Sequence, residues 1–244
     1  MYDCIIIGAG FSGSVIARIL AEKEKKVLIL ERRNCIGGNA YDYQDKSTGI
    51  LIQKYGPHIF HTSRKNVYDF VNKYDVWSDF KLKCQVYMEG QFTPSPFNLK
   101  TIDIYYGSEK SMIIKQAIKN EYGSKKKSTI VEMLNSSNHV IREYAQFLYE
   151  NDYSLYTSKQ WGIPPSQVDK NVLKRVPIRF DYGEYYFDDT YECLPQKGFT
   201  HFFERLLSHK NIDIKLNINA LDLLDLKENK ACINQRLYKQ PIVY

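Results

Sequence analysis

Three glycines and one acid supply the first chemistry. Gly8, Gly10 and Gly13 stand between an apolar run, Cys4 to Ile7, and a helical pattern through Val15, Ile16, Ile19 and Leu20; a second apolar run, Val27 to Leu30, closes on Glu31. The order is strand, glycine turn, helix, strand, acid, which is the dinucleotide-binding fingerprint in its proper context. Gly8 permits the tight turn, Gly10 removes a side chain that would stand against a pyrophosphate, and Gly13 lets the helix lie close to the sheet. The N-terminus of that helix offers free N–H groups and a positive dipole end to phosphates. A carboxylate at Glu31 is placed to accept both hydroxyls of an adenosine ribose.

Arg33, Gly37, Gly38 and Asn39 form a second glycine turn directly after the second strand. A second close approach of backbone suits a cofactor longer than a nicotinamide dinucleotide, and with Arg32 beside the acid the site points to FAD. The histidines at 58 and 61 are three apart in an extended segment, poor geometry for sharing an ion and without a third ligand nearby, so no metal is expected.

The elements that must position these residues follow in order. Gly56 and Pro57 break the chain before a short extended segment; Ser63 is a candidate N-cap for a helix with Val67, Phe70 and Val71 on one face, ending near Tyr74. Leu82 to Met88 and Gln91 to Thr93 alternate as a hairpin around Glu89 and Gly90, ended by Pro94 and Pro96. Helical spacing at Met112, Ile113, Gln116 and Ala117, and again from Val140 to Leu148, predicts a helical subdomain with an internal loop at residues 123–128. Aromatic residues crowd the stretch from Tyr144 to Tyr191, either as plain core or as a sheet with an aromatic face lining a ligand cleft. Phe199, Phe202, Phe203, Leu206 and Leu207 predict a helix, and Ile212 to Leu216, Asp222 to Leu226, Ala231 to Ile233 and Pro241 to Tyr244 predict strands. The expected fold is α/β: a Rossmann-like FAD-binding domain with an inserted helical subdomain and an antiparallel sheet subdomain. Its expected parts are residues 1–78 (FAD-binding), 79–100 (sheet), 101–163 (helical insertion), 164–200 (sheet) and 201–244 (return to the FAD-binding domain).

With 244 residues, 43% hydrophobic and 25% charged, the chain has the composition of a globular protein with a large core. A net charge of +6 is modest and fits an anionic ligand such as a nucleotide sugar as well as it fits nucleic acid. The basic run Lys125 to Lys127 sits beside Gly123 and Ser124 and is expected to be a solvated loop; neither nucleic acid nor a membrane is an expected partner. The cysteines, 4, 35, 84, 193 and 232, are odd in number and scattered, which implies neither a disulfide frame nor a zinc site. No run has membrane-spanning length, and a reducing cytoplasm is the expected compartment.

Taken together, the motifs resemble one family, UDP-galactopyranose mutase. The matching stretches are GAGFSG (Gly8–Gly13), RRNCIGGNAYD (Arg32–Asp42), YGPHIFHT (Tyr55–Thr62), PSPFNL (Pro94–Leu99), YTSKQWG (Tyr156–Gly162), LKRVPIRF (Leu173–Phe180) and YFDDTYECLPQKGFT (Tyr186–Thr200). The resemblance implies interconversion of UDP-galactopyranose and UDP-galactofuranose on reduced FAD, with no net redox change. In that chemistry the flavin N5 attacks the anomeric carbon, UDP leaves, and the sugar ring opens and recloses on a flavin iminium adduct; the product serves galactofuranose-containing polysaccharide. It implies cofactor contacts at Gly8, Gly10, Phe11, Ser12, Gly13, Glu31, Arg32, Gly38, Asn39, Gly56, His58 and Ile59. His61 would lie against the flavin ring and Arg175 would clamp the diphosphate, both in catalytic roles. Tyr156 and Trp161 would hold the uridine, while Tyr186 and Phe187 would border the sugar and diphosphate. Asp152 stands where the family usually has an aromatic residue, so uracil packing either differs here or uses Tyr153. Family members continue beyond this length, and the chain ends on an apolar run, so the sequence is expected to be incomplete; a homodimer is expected from bacterial relatives. The alternatives are an amine-oxidase-type flavin oxidoreductase and a truncated, non-catalytic nucleotide-binding module.

Overall fold

Val27–Leu30 is buried along its whole length, and a strand buried on both faces needs partners on both edges and cover on both sides. The computed structural model, which describes the backbone of residues 2–225, 230–233, 236–239 and 242–243, and side chains up to Leu223 apart from Lys170, supplies both. Strand β1, Cys4–Ile7, helix α1, Phe11–Glu22, and strand β2, Val27–Leu30, form a parallel strand–helix–strand unit of the Rossmann type. Ile212–Lys215 pairs parallel to β2, and Ile242–Val243 parallel to β1, completing a four-stranded parallel sheet.

Helix α1 covers that sheet with small residues. Its buried positions are Ser14, Ala17 and Ala21, whereas Ile19, expected on the buried face, is 41% exposed. The cause is the closeness of the packing: a Cβ built on Gly13 would sit 2.1 Å from the Gly8 carbonyl oxygen, leaving no room for larger side chains on that stripe.

The chain divides into two compact units, Met1–Phe80 with Asp189–Tyr244, and Lys81–Asp188. In the first, Phe60–Thr62, Tyr191–Pro195 and Trp77–Asp79 form a second, antiparallel sheet. Phe199–Leu207 is the expected helix, with Phe199, Phe202, Phe203, Leu206 and Leu207 all buried. Its N-terminus is held by Asp42, whose carboxylate accepts the N–H groups of Phe199 at 2.6 Å and Thr200 at 2.8 Å, a negative charge at the positive end of a helix dipole. Helix Lys65–Asn72 follows the extended segment, but its N-cap is Arg64 rather than the expected Ser63. The Ser63 hydroxyl instead donates to Asp189 at 2.7 Å.

The second unit carries the expected hairpin, Cys84–Met88 with Gln91–Ser95, turning at Glu89 and Gly90, which both have positive φ. It also carries helices Leu99–Tyr105, Ser108–Tyr122, Ile130–Leu134 and His139–Leu148 around a core that includes Ile114, Ile118, Ile130, Met133, Ile141, Tyr144 and Leu148. Lys125 to Lys127 are exposed, with Lys125 paired to Glu132 and Lys127 to Asp188, but the expected loop over residues 123–128 stops short: Lys127–Ser128 is a strand paired antiparallel with Ile178–Arg179, and Ser128 is buried. The aromatic stretch from Tyr182 to Phe187 forms no sheet, only an isolated bridge between Lys83 and Tyr185. Asp181 explains the interruption: its side chain accepts the Gly183 N–H at 2.8 Å and so satisfies locally a donor that a strand would share with a neighbour.

Of the late strands, Ile212–Lys215 matches expectation. Asp222 to Leu226 resolves into a short helical turn, Ala220–Asp222, and a two-residue strand, Leu224–Asp225; Leu226 lies outside the described residues. Lys230–Ile233 pairs with Arg236–Lys239, a hairpin the sequence pattern had not suggested beyond Ala231–Ile233, and Pro241 and Tyr244 lie outside the described residues.

Candidate functional site: two glycine turns and an aromatic–arginine face

In the first unit the two glycine turns touch. Gly38, at φ +59°, would place a Cβ 3.0 Å from the Gly10 Cα, and the Gly37 N–H donates to the Ala9 carbonyl at 2.8 Å. A left-handed conformation and a backbone neighbour at that distance both require glycine at position 38. The first turn of α1 has no side-chain cap and no acidic residue, so its N–H groups face outward unclaimed by side chains.

Glu31 follows β2 and is buried at 5% exposure. One carboxylate oxygen accepts the Ala9 N–H and the other the Arg33 N–H, each at 2.8 Å. It therefore ties the first glycine turn to the second while each oxygen keeps a further lone pair for a ligand hydroxyl. Arg33 is built into the site: it donates to the Asn39 side chain at 2.9 Å and lies 4.5 Å over the Tyr55 ring. Its Nη1 is buried without a partner. Arg32, the arginine favoured from sequence, is exposed. A backbone cradle with room only for glycine, an uncapped helix end and an orphaned guanidinium nitrogen are what the diphosphate and ribose of a dinucleotide cofactor would satisfy.

The remaining predicted cofactor contacts divide. Ser12 is exposed at the start of α1, while the Phe11 ring packs against Phe203 at 4.7 Å and Phe199 at 5.9 Å, which leaves mainly its backbone for a ligand. His58 is fixed within its own loop, its N–H donating to the Gln53 side chain and its Nδ1 lying 2.9 Å from the Gly56 carbonyl; Ile59 beside it is half-buried. His61, on the strand Phe60–Thr62, pairs through Nδ1 with Asp189 at 2.6 Å. The two histidines thus have separate partners.

The second unit gathers the predicted substrate residues. The helix from His139 passes through a π-turn, Tyr149–Tyr153, and continues as Ser154–Trp161, ended by Gly162 at φ +66°. Such turns recur at functional sites. Trp161 ends this helix, 57% exposed, and Tyr156 is 62% exposed. Tyr153 is buried and donates its hydroxyl to the Val176 carbonyl at 2.9 Å, so it is spent on the core. Asp152 is half-buried in the π-turn, and burial pushes its carboxyl up to about 6.

Arg175 lies at a bend between helix Lys170–Leu173 and strand Ile178–Arg179, where Pro177 predicted the change from helix to extended chain. It is exposed, and among the described residues its guanidinium makes no ion pair. Arg179, in the same motif, is committed to Asp181 and Asp188. Tyr186 is half-buried: burial first, then the fields of Cys84 and Tyr156, raise its phenol, and the positive charge of Arg175 opposes them. Tyr156 and Arg175 each lie within electrostatic range of Tyr186, and Phe187 packs edge-on to Tyr186 at 4.9 Å.

Fold and cradle define a Rossmann-like nucleotide-binding protein, and a family model for the NAD(P)-binding Rossmann-like domain matches residues 6–74. A second model, UDP-galactopyranose mutase, matches residues 151–244. The dTDP-fucopyranose mutase of Escherichia coli is 39% identical over 88% of this chain and 56% of its own length. The UDP-galactopyranose mutase of Mycoplasma genitalium is 33% identical over 100% of this chain and 60% of its own. A crystal structure of reduced UDP-galactopyranose mutase superposes with a TM-score of 0.65 at 16% identity, covering 98% of this chain and 54% of that one, which shows the fold. The chain is a partial-length member of the UDP-galactopyranose mutase family. It spans a little over half the length of the relatives it matches.

Proposed function

We propose that this chain carries the cofactor-binding half and part of the substrate face of an enzyme that interconverts UDP-galactopyranose and UDP-galactofuranose. The observation that carries the proposal is Arg175, an uncommitted guanidinium whose charge reaches Tyr186, in a unit whose other arginine of the same motif is already neutralised. A planar cation of this kind would take the diphosphate in a fork and stabilise the charge that grows on UDP as the glycosidic bond breaks. Tyr156 and Trp161, exposed on one short helix, would stack on the uracil and hold the nucleotide while the sugar rearranges. Tyr186 and Phe187 would border the sugar.

FAD would be held by the Gly10 and Gly38 turns, the end of α1, Glu31 and Arg33, and in its reduced form it supplies the nucleophilic nitrogen that the chain's own side chains do not. Gly8, Gly13, Arg32, Asn39, Gly56, His58, Ile59 and His61 complete the proposed cofactor contacts. A galactofuranose product, a cytoplasmic location and a homodimer belong to the same proposal. Among the described residues no helix is long and apolar enough to cross a membrane. Similarity to amine oxidase A of Equus caballus reaches 46% identity but covers only 21% of the chain, which favours the mutase over the oxidase.

The test is to load the protein with FAD, reduce it chemically, supply UDP-galactofuranose and separate the products by chromatography. UDP-galactopyranose should form only in the reduced protein, and dTDP-fucofuranose run in parallel should react more slowly. Reduced, FAD-loaded protein that leaves the sugar unchanged, in this chain and in one extended to its relatives' length, would refute the assignment.

A further inference from the structure

The π-turn Tyr149–Tyr153 leaves a carboxylate unserved. Its neighbours are satisfied: Glu150 accepts from the Gln146 side chain at 2.6 Å, Asn151 donates to the Phe147 carbonyl at 2.8 Å, and Tyr153 donates to the Val176 carbonyl. Asp152 is half-buried, and among the described residues its carboxylate has no hydrogen bond or ion pair; burial is what opposes its ionisation. A desolvated charge without a donor costs stability, and such costs concentrate where a site needs the group. Its place on the helix indicates what it would meet. Tyr156 follows four residues on, about one turn, and is exposed. Helical side chains tilt toward the N-terminus, so the Tyr156 ring leans back over the turn that carries Asp152. Burial first, then Asp152 and Tyr186, raise the Tyr153 phenol, so Asp152 and Tyr186 both lie within electrostatic range of that one ring.

We propose that Asp152 reads the base of the nucleotide: with the base stacked on Tyr156, its carboxylate accepts the N3–H of a pyrimidine-2,4-dione and disfavours cytosine. The stacking half of this proposal rests on the substrate face proposed above. Uracil and thymine carry a donor, N3–H, between two carbonyl acceptors. Cytosine has an unprotonated N3, whose lone pair would face the carboxylate, a repulsive element of the kind specificity needs. Half-burial sharpens the choice, because the carboxylate has already lost part of its water and gives up less when a donor arrives. Asp152→Asn keeps the shape but offers either its oxygen to N3–H or its NH2 group to an unprotonated N3, so it accepts both bases.

The experiment is calorimetric titration of UDP, dTDP and CDP at pH 8, where a carboxyl raised to about 6 is ionised, into wild type, Asp152→Asn and Asp152→Ala. It is run on this chain and on one extended to its relatives' length. Wild type should bind UDP about tenfold more tightly than CDP, the worth of a hydrogen bond to a charged group. Asp152→Asn, which sheds the unserved charge and keeps the fold, should lose most of that preference with UDP affinity nearly retained. Asp152→Ala should lose the preference together with about tenfold in UDP and dTDP affinity. A merely structural Asp152 would move all three ligands together and leave the UDP-to-CDP ratio in place, which overturns the proposal. Wild type that binds UDP and CDP alike overturns the role of Asp152 and leaves the substrate face standing. Wild type that binds none of the three, at either length, sinks the substrate face and the role of Asp152 with it.

Discussion

Replacing Glu31 by alanine separates two functions that one carboxylate combines. In the structure it accepts N–H groups from Ala9 and Arg33, and Ala9 is fully buried. Removing it leaves the Ala9 donor facing a void no solvent readily fills, at a cost of about 1–3 kcal/mol, while the half-buried Arg33 N–H recovers part of its loss from water. The sum is about 2–4 kcal/mol of stability before any cofactor is added, a large share of the roughly 5–15 kcal/mol a domain has. With a urea slope of about 1–3 kcal/mol/M, the unfolding midpoint of the apoprotein should fall by about 1–2 M. FAD affinity, measured on folded protein well below that midpoint, should fall by a further ~1–3 kcal/mol for the lost ribose hydrogen bonds. An unchanged midpoint with lost FAD affinity would show that the bonds to Ala9 and Arg33 are incidental. A lowered midpoint with full FAD affinity would remove Glu31 from the ribose site.

Two further outcomes test the second unit. In a chain extended to its relatives' length, Arg175→Ala should lower turnover by about two to three orders of magnitude with FAD content unchanged, Arg175→Lys should recover only part of it, and near wild-type turnover at saturating substrate would show that Arg175 is not the diphosphate clamp. Asp152, raised to about 6 by burial, binds its proton more tightly folded than unfolded, so its contribution to stability is complete below about pH 4 and is lost as pH rises through about 6. Discounted for its partial exposure, Asp152→Asn should be more stable than wild type above pH 6 by about 1 kcal/mol and should flatten the decline between pH 4 and 6; parallel profiles by chemical denaturation would refute the assignment.

What could be seen in the sequence was what local backbone geometry dictates. The glycine turns, β1, α1, β2 and the acid at Glu31 are legible because each residue's constraint comes from its own φ, its own alternation or its immediate neighbour, and the hairpin at Glu89 and Gly90 is legible for the same reason. The errors have two causes, a long-range partner that overrides a local preference and a close contact within the same segment. Ser63 has the chemistry of an N-cap, but Asp189, at the start of the neighbouring strand and 126 residues away in sequence, claims its hydroxyl. Ile19 has the spacing of a buried residue, but the close approach at Gly13 gives the sheet face of α1 to serine and alanine. Asp42 reads as the end of a glycine-rich motif, and its carboxylate is the cap of a helix that starts at Phe199.

The same distinction decides between the arginines. Arg32 and Arg33 are neighbours of one type, as are Arg175 and Arg179 within one short motif, and nothing in their local sequence says which would meet a ligand. The structure separates each pair by its partners. Arg33 reaches Asn39 and the Tyr55 ring and keeps one buried donor unpaired, whereas Arg32 stands in solvent. Arg179 is neutralised by Asp181 and Asp188, whereas Arg175 has its charge free beside Tyr186. A cation already paired inside the protein must break those bonds before it can serve a phosphate, so an unpaired one in the same setting binds at lower cost. On the proposed function, Arg33 and Arg175 are therefore the better candidates, of each pair, for a diphosphate of the cofactor and one of the substrate.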